Sequence, residues 1–362
     1  MGRLSQLHLI GSRLVDHMFG DRTKPYVGMQ DQRPLSRLEF DHCMFVCEWY
    51  RSVLRRRSGA GSPTASPAGN WRLDQPFYTR VDRLLVDRAF PRLRLWSTHF
   101  TGWPLYAFGR TDEVVTPDSS DADIDAILAA SPLKQEYCAQ MIRFVADLPP
   151  HLHFSPPARF GEIGATLRGI IVSYDTLAYY ERLTLLYRAG LLDPHIRDIV
   201  EIGGGYGGLA YYVCRALPNS AYHIIDLPES LLFSAIYLPI ALGLKLEDRS
   251  IMDNGILRVG RASFVPNFVA GAFLRGTGRI DLSINTLSMA EMSEGQVREY
   301  CAMIKPALGS HGAFFEQNQD NRHIGLLEVT SIIRDYFTEC RVIEGHAGQG
   351  TPHVWRNPGV LA

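Results

Sequence analysis

The stretch from Ile199 to Leu209, IVEIGGGYGGL, constrains the fold of this chain more than any other. Ile199-Val-Glu-Ile202 suits a buried strand, and five of the next six residues are glycine. Leu209 to Leu217 then reads as a helix. Strand, glycine turn and helix in that order let backbone amides approach a ligand that any Cβ would exclude. Downstream, Tyr222-His-Ile-Ile225 predicts a second strand with Asp226 at its tip, the usual place for a carboxylate that binds a ribose diol. A nucleoside-containing cofactor is expected here.

The remainder of the C-terminal half alternates strand and helix. Pro228 opens a helix through Leu242 that Gly243 ends, followed by strands at Ala262–Val265, Ile280–Asn285 and Gly312–Phe315. Helices are expected over Glu294–Ile304 and Ile324–Phe337. Cys340–Ile343 and Thr351–Trp355 flank a glycine-rich turn, which suits an antiparallel pair. The expected fold is α/β, a parallel sheet of about seven strands closed by a C-terminal antiparallel hairpin. Ahead of it, residues 35–57 carry apolar side chains at helical spacing and end in Arg55-Arg-Arg57, read as a basic helix C-terminus. Ser58 to Gly69 is rich in Gly, Ser, Pro and Ala and reads as a mobile linker. Residues 71–106 are dense in aromatics, as core or as a pocket wall. The expected organisation is a mainly helical region over 1–150, a helical connector or lid over 151–195, and a cofactor domain over 196–362.

Composition narrows the class. A net charge of −1 excludes the basic surface that sequence-independent nucleic-acid binding needs. No apolar run approaches the roughly 20 residues of a membrane span, and no signal segment opens the chain. Six cysteines are scattered, and Cys43 and Cys47 at i,i+4 lack a second Cys/His pair to complete a metal site. A cytoplasmic protein without nucleic-acid or membrane partners and without a bound metal is expected, with the N-terminal helices as the place for homodimer contacts.

Two cofactor classes satisfy the glycine loop. Gly203-x-Gly205-x-x-Gly208 fits the dinucleotide fingerprint, and Glu201-x-Gly203-x-Gly205-x-Gly207 fits the first motif of S-adenosylmethionine enzymes. Glu201 decides between them, since a carboxylate two residues before the first glycine can pair with a methionine amino group. The position of the cofactor domain at the end of the chain and the terminal hairpin point the same way. Together with the segments Ile225-Asp-Leu-Pro-Glu229, Asp281-Leu-Ser-Ile-Asn285 and Ser288-Met-Ala-Glu-Met292, the loop resembles the sugar O-methyltransferases of bacterial natural-product clusters. These are Rossmann-like class I methyltransferases, and the resemblance covers roughly residues 155 to 357. It implies S-adenosyl-L-methionine as cofactor and a small-molecule acceptor, the hydroxyl of a sugar or glycosylated natural product. Methylation of carbon, nitrogen or a phenol, a non-catalytic scaffold, and a nicotinamide oxidoreductase are the competing readings.

Around the cofactor, Glu201, Gly203, Gly204, Gly205, Tyr206 and Gly207 are expected near the methionine and ribose. Asp226 would take the ribose hydroxyls, Leu227 would lie on the adenine, and Asn267 would contact it. Catalytic groups in open α/β sheets sit beyond the carboxyl ends of strands. That selects Asn285 (also a cofactor contact), Ser288 and Glu291 after one strand, and Glu316 and Asn318 after the next. Glu291 is the first choice of base, with His353 beside the hairpin as the histidine candidate. Ser288 and Asn318 are assigned to the acceptor. The resemblance adds Glu162, Tyr174, Asp175 and Tyr179 as an acceptor wall.

Overall fold

A computed structural model describes residues 26–57, 61, 63–65, 67, 71, 76–97, 103–104, 114–115, 118–130, 135–344 and 350–357. The chain divides into two compact units, Met1–Pro34 with Pro91–Tyr180, and Leu35–Phe90 with Glu181–Ala362.

The second unit is built on a nine-stranded mixed sheet. Its strands are β1 (Asp198–Ile202), β2 (Ala221–Asp226), β3 (Arg249–Ile251), β4 (Leu257–Val259), β5 (Ala262–Pro266), β6 (Ile280–Thr286), β7 (Leu308–Asn318), β8 (Glu339–Val342) and β9 (Thr351–Arg356). They lie in the order β8-β9-β7-β6-β1-β2-β5-β4-β3. The run β7-β6-β1-β2-β5 is parallel throughout. β9 and β8 close one edge antiparallel, as the expected hairpin does. This is a Rossmann-like α/β sheet. The expectation of seven strands falls short because β4 extends the other edge antiparallel to β5, and β3 pairs antiparallel with β4. Each has three residues, too short to carry a readable alternation.

The helices of interest are α1 (Arg37–Arg57), α2 (Pro76–Asp87), α3 (Tyr174–Arg188), α4 (Gly208–Ala216), α5 (Pro228–Leu242), α6 (Ala270–Gly276), α7 (Glu294–Ala307) and α8 (Val329–Arg334). α5 starts with Pro228 in its first turn and stops at Gly243, whose φ of 65° is left-handed. α7 opens with a capping box in which Ser293 and Gln296 exchange hydrogen bonds. α8 is shorter than the helix expected over 324–337; Gly325 caps a 3-10 turn, and the helix restarts only after Glu328. Side chains of β1, β2, β5, β6 and β7 share one core with α6, α7 and α8, around Val200, Ile225, Val265, Phe314 and Trp355.

Residues 35–90 belong to this unit and not to a separate N-terminal region. The reason is packing: α1 buries Cys43, Val46, Cys47, Trp49 and Val53, and its contacts run onto the α5 region. The Trp49 indole donates to the Gly255 carbonyl at 2.8 Å, and His42 Nε2 lies 2.9 Å from the Ala235 carbonyl. Each fully buried side chain of this kind is worth about 1.5–3 kcal/mol. Cys43 and Cys47 are core thiols, and burial pushes the Cys47 thiol up to about 11.

The first unit holds a small antiparallel sheet of Tyr26–Val27, Gly164–Leu167 and Ile170–Val172, with helices Asp121–Ala130 and Gln135–Asp147. Its core includes Met29, Leu95, Ile124, Leu128 and Ile163. Ser173 caps α3, its hydroxyl accepting the Thr176 N–H. No helix among the described residues is long and apolar enough to cross a membrane.

Candidate functional site

Beyond Ile202 the chain turns on three left-handed glycines, Gly203 (φ 73°), Gly205 (φ 55°) and Gly207 (φ 89°). A Cβ on Gly203 would stand 2.0 Å from Ser288 Oγ, so only glycine fits there. Gly207 caps α4, which leaves the unpaired N–H groups of the first helical turn at the loop. Asp226 reaches the same loop from the end of β2. Its Oδ2 accepts the Gly205 N–H at 2.9 Å and its Oδ1 accepts the Leu227 N–H at 2.7 Å. Burial nevertheless pushes this carboxyl up to about 7, because two backbone donors only partly replace water.

These residues form one wall of a cavity. Gly203, Gly205, Asp226 and Leu227 face it, as do Asn267 after β5 and Ser288 after β6. Asn267 is 2 % exposed; its Nδ2 donates to the Thr64 carbonyl, and its Oδ1 is buried without a hydrogen-bond partner. An orphaned acceptor at that point suits an exocyclic amine. The donors at the loop, the carboxylate of Asp226 and this acceptor together fit an adenosine-bearing cofactor.

Asn285 and Asn318 do not line this cavity as the sequence suggests, because both are locked into a buried network. Asn285 Nδ2 donates to the Ile202 carbonyl at 2.8 Å and to Ser288 Oγ at 2.6 Å. Its Oδ1 accepts from Asn318 Nδ2 at 2.9 Å, and Asn318 Nδ2 also reaches Glu316 Oε2 at 2.9 Å. Asn318 Oδ1 takes the Ala290 N–H at 3.3 Å. The two asparagines fix the end of β1 and the Ser288–Glu291 turn to each other.

Glu201 also departs from expectation. It is 2 % exposed, its Oε2 accepts the Tyr222 hydroxyl at 2.9 Å, and it sits beneath Gly204, where a Cβ would stand 2.9 Å from that oxygen. Burial pushes its carboxyl up to about 7. A carboxyl whose ionisation burial resists supports the turn from beneath the loop. Tyr206 lies edge-on to Tyr237, with ring centroids 5.1 Å apart.

Of the two base candidates, Glu291 is the one bonded to a side chain that lines the cavity, that of Trp71, without lining it itself. It ends the turn whose Ser288 lines it, next to Met292, and its Oε2 accepts the Trp71 indole N–H at 2.7 Å. Burial raises its pKa, and the indole N–H opposes that. His353 is held elsewhere, with Nδ1 2.8 Å from Oε1 of the buried Glu316. Register puts Ile202, Asn285, Glu316 and His353 in one row across β1, β6, β7 and β9. Three inter-strand steps of about 4.8 Å place His353 on the order of 14 Å from β1. Asp320, close to Glu316 in sequence, is bound to Arg322.

Glu162, Tyr174, Asp175 and Tyr179 belong to the first unit. Arg94, 1 % exposed, donates to Glu162 Oε2 at 3.0 Å and to Asp175 Oδ2 at 2.7 Å. Burial pushes the Glu162 carboxyl up despite Arg94. Tyr174 is exposed and Tyr179 half-buried.

Sequence reasoning missed the contribution of residues 57–71. Thr64 and Pro67 line the cavity, although Ser58 to Gly69 reads as linker, and Trp71, the first of the aromatics read as core or as a pocket wall, lines it too. The aromatic cluster beginning at Trp71 was the available signal. Arg57, read as a helix-terminal charge, makes a two-pronged pair with Glu229.

Comparison with solved structures finds likeness of fold at low identity. An O-methyltransferase family protein from Burkholderia thailandensis aligns with a TM-score of 0.37 and 15 % identity, over 72 % of this chain and 78 % of that one. The mitomycin 7-O-methyltransferase MmcR gives 0.34 and 15 %, over 50 % of this chain and 57 % of its own. Human methyltransferase-like protein 13, solved in complex with SAH (S-adenosylhomocysteine), gives 0.35 and 16 %, over 51 % and 82 %. No protein-family profile matches the sequence, and no curated protein matches it either.

Proposed function

We propose that the second unit binds S-adenosyl-L-methionine and transfers its methyl group to a hydroxyl of a sugar or glycosylated natural product. The observation that carries the reading is the convergence of the left-handed glycine loop, Asp226 and the orphaned Asn267 Oδ1 on one cavity. The acceptor class rests on the sequence resemblance. Backbone donors of the loop and of the α4 terminus would hold the donor's methionine end, Asp226 its ribose diol, Leu227 the face of the base and Asn267 Oδ1 its amine. The cofactor supplies an electrophilic methyl on a sulfonium. Glu291 takes the proton of the acceptor hydroxyl as the new C–O bond forms. Its Oε1 is free for this, whereas His353 is three strands from β1 and paired with Glu316. Alignment of the reacting groups accounts for about 7–11 kcal/mol of the barrier when near-attack geometry is reached, and a positioned base for roughly 10²–10⁴ in rate.

Isothermal calorimetry with S-adenosylhomocysteine and, separately, NADH tests the cofactor. Micromolar binding of the first and none of the second is expected. Binding of NADH alone would overturn the reading. The acceptor is tested by methyl transfer from radiolabelled donor to a panel of glycosides against their aglycones, the glycosides being the expected products.

A further inference from the structure

Trp71 lies just beyond the stretch whose composition marks it as linker, and it is tied down twice. Its indole N–H donates to Glu291 Oε2 at 2.7 Å, and its carbonyl accepts the Tyr78 hydroxyl at 2.6 Å. Upstream, the Thr64 N–H donates to Glu299 Oε2 at 2.8 Å while its carbonyl accepts Asn267 Nδ2. Thr64 and Trp71 therefore stand as a fixed wall opposite Asp226 and Ser288. Glu291 Oε1 has no hydrogen-bond partner among the described residues, so the indole holds one oxygen of the carboxylate and leaves the other available.

We propose that Trp71 is the positioning residue of this site, fixing Glu291 Oε2 so that Oε1 meets the hydroxyl that is to lose its proton. The inference rests on Glu291 being the base. A carboxylate at a desolvated position resists ionisation, and a donor to its charged form counters that. Those are the two influences on Glu291, burial upward and the Trp71 N–H downward. The surrounding charges are committed to other partners. Glu294 pairs with Arg298, Glu299 accepts from Thr64, Glu328 caps α8 and Asp320 holds Arg322. Asp226 accepts from Gly205 and Leu227. Among the described residues the indole is thus the group that both orients the carboxylate and favours its ionised form.

The test is a pH titration of Glu291 in the full chain, read from the ¹³C carboxyl resonance that disappears in Glu291→Gln. Wild type should titrate above the ordinary glutamate range. Trp71→Phe keeps a ring and removes the N–H, so its midpoint should rise by roughly one to two pH units further. An unmoved midpoint overturns the proposal, since a merely structural Trp71 would change the melting temperature and leave the titration alone. A readout that does not require the variant to fold is the wild-type indole ¹⁵N–¹H spectrum, in which five tryptophans give few signals. One of them should titrate with the Glu291 midpoint and none should do so in Glu291→Gln; five flat signals also overturn the proposal. S-adenosylhomocysteine binding is measured alongside. A wild type that shows the coupling but binds no S-adenosylhomocysteine sinks the cofactor reading alone, and intact binding with an unmoved midpoint sinks the Trp71 role alone.

Discussion

Arg57 and Glu229 meet as a two-pronged ion pair, Nη1 to Oε2 and Nη2 to Oε1, each at 2.9 Å. The pair joins the last residue of α1 to the first turn of α5, three residues beyond Asp226. The Glu229 side chain is 3 % exposed and that of Arg57 19 %, so solvent screens the pair only slightly. Removing one partner strands a buried charge, which costs more than the intact pair contributes. Arg57→Met should therefore lower unfolding free energy by about 2–4 kcal/mol in urea. The double variant Arg57→Met/Glu229→Gln should recover most of that loss; equal losses in the single and double variants would show that the charge is not the cause.

Asp226 gives the site a pH dependence whose sign is fixed by its raised pKa. A carboxylate that accepts two ribose hydroxyls must be ionised, and burial holds the free site's Asp226 up at about 7. Below that value the protonated form predominates and binding must first expel a proton. Affinity for S-adenosylhomocysteine should thus fall as pH drops through 7, by up to about tenfold per pH unit, and level off above pH 8. Asp226→Asn should weaken binding and flatten that profile. Calorimetry between pH 5.5 and 8.5 reads both, and a wild-type affinity constant across that range would contradict the assignment.

Gly203 and Ser288 can be tested as a pair. A Cβ at Gly203 would lie 2.0 Å from Ser288 Oγ and 2.4 Å from its Cβ, and φ there is 73°. Gly203→Ala meets both a clash and a left-handed backbone, the latter alone worth about 1–2 kcal/mol. It should unfold at clearly lower urea concentration and lose S-adenosylhomocysteine binding. Ser288→Gly removes the clashing atoms, so the double variant should be more stable than the sum of the two single losses predicts, leaving the backbone strain. Strict additivity would mean that Ser288 is not what excludes a side chain.

The parallel sheet was legible because its strands are apolar on both faces and its helices begin and end on Pro228, Ser293 and Gly243. The glycine loop and the place of Asp226 beside it were legible for the same local reason: glycine geometry and a residue's position at a strand end are short-range properties. What could not be read was the destination of side chains whose partners lie far along the chain. Nothing near Asn285 says that its amide will go to the Ile202 carbonyl, or that Asn318 will saturate its oxygen. Thr64 was hidden by composition, since a Gly/Ser/Pro-rich stretch looks mobile unless the bonds that pin it, from Asn267 and Glu299, are known, and nothing in the aromatic stretch that opens at Trp71 points to its partner Glu291. Strands β3 and β4 are too short to show a period; β4 pairs with β5 and β3 with β4.

Glu201 supplies the last prediction, one about stability. Its carboxyl is raised to about 7, first by burial, with the Tyr222 hydroxyl opposing. In the unfolded chain the same group ionises near pH 4.5, so between those values the unfolded state releases a proton that the folded state keeps. Stability contributed by this group is therefore full below pH 4.5 and declines as pH rises through 7. The loss saturates at roughly 3 kcal/mol above pH 8, an order-of-magnitude figure from the pKa difference. Glu201→Gln keeps an acceptor for Tyr222 and removes the proton exchange. It should match wild type near pH 5 and exceed it by about 2–3 kcal/mol at pH 8 in urea unfolding. A variant less stable than wild type at pH 8 would mean that Glu201 is ionised in the fold, with a cation beside it, and would restore the charged role that its sequence position first suggested.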